Sequence, residues 1–129
     1  MLDKFKPGDT KTFERVVTKA DCAMFDSGPV HPVYATFALA RDAEWCCRLF
    51  VLEMKEEDEE GIGTMISVNH VSPAPEDVVV LFTATVKSLR GNEIICSYVA
   101  YCGERLVASG ETGQKILKKE KLETLFRAL

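Results

Sequence analysis

Apolar and polar positions change period twice along the chain. From Thr10 to Lys19 they alternate, with Phe13, Val16 and Val17 as the apolar members, which predicts a first strand. Asp21 to Pro32 is broken by Ser27-Gly28-Pro29 and His31-Pro32 and reads as turn and loop. Leu39, Ala43, Cys46, Phe50 and Met54 then recur at helical spacing, so one long helix with a buried face is expected, with Thr36 as its candidate N-cap. The charged run Lys55 to Glu60 reads as a solvated helix end and loop, closed by Gly61. After Gly63 the period becomes two, giving strands over Thr64–Val71, Val78–Leu89, Glu93–Cys102 and Arg105–Leu117. Arg90-Gly91-Asn92 and Gly103-Glu104 are the hairpin turns, and a short helix over Lys119–Leu129 closes the pattern.

A strand, a long helix and then four successive antiparallel strands make a two-layer α+β domain, because one helix stripe must cover one face of a sheet. This is the plan of the hotdog fold: an antiparallel sheet of about five strands wrapped round one long central helix, in a single domain over residues 1–129. Gly61-Ile62-Gly63 is not a dinucleotide fingerprint, since a strand rather than a helix follows it.

Composition narrows the function. Hydrophobic residues make up 47% and charged residues 28% of the 129, and formal net charge is −4, so neither a nucleic acid nor an anionic membrane is an expected partner. Lys118, Lys119 and Lys121 form one small basic cluster. No apolar run approaches the length of a spanning helix and no signal core opens the chain, which points to a cytoplasmic protein. Five cysteines without a C-x-x-C pair suit neither a disulfide framework nor a structural zinc site, and buried free thiols are expected.

Three polar residues stand where apolar ones are expected. Glu44 lies in the apolar middle of the helix, so it must be paired or carry a raised pKa, and Arg48 at i+4 is its nearest candidate partner. His70, counted by twos, shares a face with Ile66 and Val68 and so points toward the helix. Thr36 is either a plain cap or a hydroxyl at the positive end of the helix dipole, where an oxyanion is stabilised. Thr36 and Glu44 are eight residues, roughly 12 Å, apart on a regular helix and cannot touch. A shared site then needs a ligand running between them, a deformed helix or a second subunit.

Tyr34-Ala35-Thr36 with Glu44-Trp45 eight residues on, Gly63-Thr64 followed by Ile66, Val68 and His70, and then Ser72-Pro73-Ala74-Pro75 together resemble the fluoroacetyl-CoA thioesterase-like family. Arg90-Gly91-Asn92 and Gly110-Glu111-Thr112 extend the likeness over about Phe5 to Leu122. The resemblance implies a hotdog-fold hydrolase of acyl-CoA thioesters, working as a homodimer or as a tetramer built from two dimers, with no metal and no cofactor. It implies catalytic roles for Thr36, Glu44 and His70 and a thioester-bordering role for Gly63. The chain departs from the family pattern at Phe37, at Arg41 and Asp42, and at Thr112-Gly113-Gln114-Lys115, and no Phe between Phe25 and Phe37 marks an aromatic lid. Fluoroacetyl specificity is therefore not carried over. The alternatives are a non-catalytic acyl-CoA-binding module on the same fold, a hotdog dehydratase or hydratase, and an assembly partner.

Overall fold

The apolar stripe of the helix organises the molecule. In the computed structural model, which describes all 129 residues, helix α1 runs unbroken over Thr36–Met54 and buries Leu39, Ala43, Cys46, Phe50 and Met54. The strands are β1 (Thr10–Val16), β2 (Cys22–Phe25), β3 (Gly28–Tyr34), β4 (Glu59–Ile66), β5 (Asn69–His70), β6 (Val79–Arg90), β7 (Glu93–Cys102) and β8 (Arg105–Lys118), with helix α2 over Lys119–Arg127. The main sheet is antiparallel in the order β1-β6-β7-β8-β4, and the two-residue β5 also pairs with β8. Alternate residues of β6 and β7, Val80, Phe82, Ala84 and Val86 with Ile94, Cys96, Tyr98 and Ala100, face α1 and form one core with its stripe. The turns obey backbone geometry. Arg90 pairs with Glu93 and Cys102 with Arg105, and Gly91 and Gly103 sit first in each two-residue turn at φ +59°, as type II′ hairpins require.

Four expectations need correction. Asp21–Pro32 is not plain loop: a 3-10 turn over Lys19–Asp21 leads into a separate two-stranded hairpin of β2 and β3. The N-cap of α1 is Ala35, which offers no side-chain cap; Thr36 is the first helical residue and its hydroxyl is engaged elsewhere. Part of the charged run is strand, because β4 starts at Glu59, whose carboxylate turns back to the Glu56 amide at 3.0 Å. The strand expected over Thr64–Val71 is interrupted at Ser67-Val68.

That interruption is pinned from three sides. The Ser67 amide donates to the Glu111 carbonyl at 2.9 Å, the Glu111 amide donates to Ser67 Oγ at 2.9 Å, and the Tyr98 hydroxyl donates to the Ser67 carbonyl at 2.7 Å. Gly110 permits this approach, since a Cβ there would lie 2.0 Å from the Ser67 carbonyl oxygen. Gly110→Ala is expected to destabilise the fold by about 1–3 kcal/mol, as overpacking does. The check is a lower urea midpoint at unchanged m.

Candidate active site

His70 reaches α1 because the chain breaks its alternation just before it. After Ser67-Val68 the chain re-pairs with β8 through Asn69 and His70, and the Val71 and Ser72 amides both donate to the Val107 carbonyl. Arg105 fastens the following loop by donating from Nη1 to Ser72 Oγ at 2.7 Å and to the Pro73 carbonyl at 2.5 Å. On the other side, the Tyr34 amide donates to the Ala74 carbonyl and the Ala35 amide to the Asp21 carbonyl, both at 2.8 Å. The two segments meet with Thr36 Oγ 2.9 Å from His70 Nδ1. That is the separation at which a base takes a proton from a hydroxyl.

The first intrahelical bond runs from the Leu39 amide to the Ala35 carbonyl, so the Phe37 and Ala38 amides are free beside Thr36. The positive end of the α1 dipole and these donors favour negative charge there. A hollow of about 260 Å³ lined by Val33, His70, Val71, Ser72 and Pro73 adjoins the pair. His70 Nε2 is buried and has no hydrogen-bond partner. Burial lowers the His70 pKa below its ordinary value, offset in part by the Ser72 backbone.

A lowered histidine pKa fixes the direction of the pH response. Between the folded pKa and about 6.5 the unfolded chain binds the proton and the native one does not, so the contribution is complete above about pH 6.5 and is lost as pH falls. If His70 is the base, the acid limb of kcat/KM should lie below pH 6.5, and the rate should be flat from there to pH 8. An acid limb above pH 7 would refute a lowered pKa.

Glu44 forms a second pair. It is exposed, where a buried carboxylate was expected, because Ala43, Cys46 and Cys47 take the inward positions of that turn. It does not pair with Arg48, whose Nη2 donates to Glu60 Oε1 at 2.8 Å. Its carboxylate lies against Gly63, where a Cβ would come within 2.7 Å of Glu44 Oε1. Glu44, Gly63, Thr64, Met65 and Ile66 line a groove of about 360 Å³. The structure therefore brings Thr36 to His70 and Glu44 to Gly63, but leaves the two pairs apart on a regular helix.

Asp42 and Arg41 have a role that the sequence did not reveal. Asp42 is buried and accepts from Arg15 at 2.8 and 3.1 Å, from Arg41 at 2.9 and 3.1 Å, and from the Tyr34 hydroxyl. Arg41 also donates to Asp21 Oδ1 at 2.8 Å. Burial alone would raise the Asp42 pKa, but the guanidinium groups of Arg15 and Arg41 and the Tyr34 hydroxyl outweigh it and hold it low. This network fixes Tyr34 and Ala35, the two residues before Thr36. The overlooked signal was Arg15, a charge at an inward position of the alternating β1. No three His, Cys, Asp or Glu side chains converge as a metal site would need. All five cysteines are free thiols, and no helix is long and apolar enough to cross a membrane.

A long helix cradled in a curled antiparallel sheet, with a Thr–His pair at the helix start, defines a hotdog-fold protein of thioesterase type. The family model described as fluoroacetyl-CoA-specific thioesterase matches residues 17–120, and the chain belongs to that family. A Thermus thermophilus protein, a thioesterase superfamily member, is 36% identical with a TM-score of 0.93 over 98% of this chain and 94% of its own. The fluoroacetyl-CoA thioesterase FlK itself is 24% identical, with a TM-score of 0.88 over 98% of each chain. A hot-dog-like protein from Thermanaerovibrio acidaminovorans is 20% identical, with a TM-score of 0.88 over 96% of this chain and 92% of its own. Comparison with curated proteins returns no match.

Proposed function

We propose that this protein is a cytoplasmic acyl-CoA thioesterase, active as a homodimer, that hydrolyses an acyl-CoA to a carboxylic acid and free CoA. The contact between Thr36 Oγ and His70 Nδ1 carries the reading. The thioester is already activated, so the chain must supply a nucleophile, a proton carrier and an oxyanion site. Thr36 Oγ attacks the thioester carbon as its proton passes to His70 Nδ1, and the free Phe37 and Ala38 amides receive the oxyanion. The C–S bond breaks, the sulfur leaves as CoA thiol with the proton from His70, and the acyl group stays on Thr36. His70 then deprotonates a water, which cleaves the Thr36 ester and releases the acid. Free thiols throughout the chain suit a reducing compartment.

Dimerisation supplies the Glu44–Gly63 pair. The α1 helix is regular, so deformation does not close the gap to Thr36. The outer edge of β4 is a free sheet edge, beside exposed Met65, Ile66 and Trp45. Pairing β4 antiparallel with its copy across a two-fold axis lays the Gly63 end of one protomer toward the His70 end of the other. The partner subunit's Glu44 then orients the attacking water or His70.

Thiol release from acyl-CoAs, short to long and aryl, measured with wild type and His70→Ala side by side, tests the activity. Release that collapses in the variant supports the hydrolase. Binding of every ester without release would make the protein a non-catalytic acyl-CoA-binding module. A monomer by light scattering at micromolar concentration would remove the shared site.

A further inference from the structure

The hairpin of β2 and β3 is not closely zipped. Cys22 pairs with Tyr34 and Met24 with Pro29, so the single residue Ala23 lies opposite the four residues Val30 to Val33. The strands part there and leave a half-open cavity of about 610 Å³ against the 3-10 turn. Ala20, Cys22, Met24, Val30 and Pro32 supply its apolar lining, while Lys19, His31 and Glu76 bring polar groups. The volume falls within the roughly 300–1,000 Å³ of pockets that hold a whole small ligand. Met24 and Val30 are 51% and 46% exposed, so an apolar occupant would take them out of water.

The cavity shares no lining residue with the hollow at His70, but the two lie along the same two chain segments. Pro32 and Glu76 line the cavity, and Val33 and Pro73 line the hollow at His70; these are neighbouring residues of the same two segments. The Val33–Pro75 bridge and the Glu76 amide, which donates to the Pro32 carbonyl at 3.4 Å, hold the segments together. Pro32 is only four residues before Thr36, at most about 14 Å along an extended chain. Thr36 does not itself line the cavity, so a two-carbon acyl group on Thr36 would stop short of it, whereas a longer apolar chain would extend into it. A polar acyl group would bring hydrogen-bonding atoms into a lining with few partners.

Resting on the thioesterase reading, we propose that the parted hairpin is the acyl-chain pocket and that the substrates are medium-chain, apolar acyl-CoAs. Two measurements on the acetyl to decanoyl series test this: kcat/KM from thiol release, and Kd of the acyl-CoAs for the Thr36→Ala variant by calorimetry. In wild type kcat/KM should rise toward octanoyl-CoA, by up to about fourfold per added methylene, and affinity should follow. Val30→Trp and Ala20→Phe, made separately, should each shrink the octanoyl-over-acetyl preference by about tenfold. Acetyl-CoA turnover, kept within about twofold, shows that the variants fold and retain the Thr36–His70 chemistry. Equal kcat/KM from acetyl to decanoyl in wild type, or a preference that survives both substitutions, would overturn the pocket assignment. So would calorimetry in which free octanoate binds but octanoyl-CoA binds no better than acetyl-CoA, since the cavity would then be separate from the thioester site. If no ester is hydrolysed, the enzyme reading fails, while chain-length-dependent Kd values abolished by the two substitutions would still support the pocket.

Discussion

His70→Ala should lower kcat/KM by about 10²–10⁴-fold, the scale of a lost general base, with a melting temperature close to that of wild type. His70 Nε2 has no partner to lose, and its Nδ1 bond is to the half-solvated Thr36 hydroxyl, so little folding energy rides on the ring. Thr36→Ala should cost as much, since it removes the group to which His70 is bonded. The two losses should not add, because the residues act as one unit. The sharper test is complementation. If Thr36 works with the partner subunit's Glu44, then Thr36→Ala and Glu44→Ala proteins, each inactive, form mixed dimers with one intact site of two. Unfolded, mixed in equal amounts and refolded together, they should recover about a quarter of wild-type activity, since half the dimers are mixed. Recovery near zero, with mixed dimers shown by mass spectrometry, would place Glu44 and Thr36 in the same protomer's site or remove Glu44 from catalysis.

Periodicity revealed the helix, the order of the long strands and the buried stripe, because each rests on a repeat that recurs over many residues. It failed where a short irregularity governs. The hairpin of β2 and β3 has only three paired positions and two prolines, so no alternation marks it. The break at Ser67-Val68 undoes counting by twos, and His70 meets α1 through that break while Ile66 stays 40% exposed. Thr36, Glu44 and His70 stand out in the sequence because polar residues interrupt apolar patterns there, whereas Gly63 stands out only through the family resemblance. Their grouping into two pairs was not legible, since local spacing carries no information on what β4 lies against. Glu44 looked buried because its neighbours are apolar, yet Trp45 beside it is also 41% exposed. In the proposed homodimer that exposed side of α1, next to the free edge of β4, would face the partner subunit rather than solvent.

Asp42→Ala should be the most damaging single change to stability. The carboxylate is 2% exposed and holds two guanidinium groups and a tyrosine hydroxyl at once. Breaking a buried ion pair from one side costs about 3–5 kcal/mol. Because the Arg15 and Arg41 side chains are 34% and 53% exposed, water can re-solvate them, and the lower end, about 3 kcal/mol, is expected. For a chain of this length that is a fall in Tm of roughly 10 °C. The pH dependence separates charge from shape. A carboxyl whose folded pKa is depressed stabilises fully above its unfolded value, near 3.9, and the contribution is lost as pH falls through the folded pKa. The gap in stability between wild type and Asp42→Asn should therefore be constant from pH 8 to pH 5 and close only below pH 4. Since Tyr34 and Ala35 hand the chain to Thr36, activity in Asp42→Asn should fall through kcat more than through KM, even at temperatures where the variant is fully folded. A variant with wild-type kcat would show that the network holds the fold together without positioning the Thr36 hydroxyl.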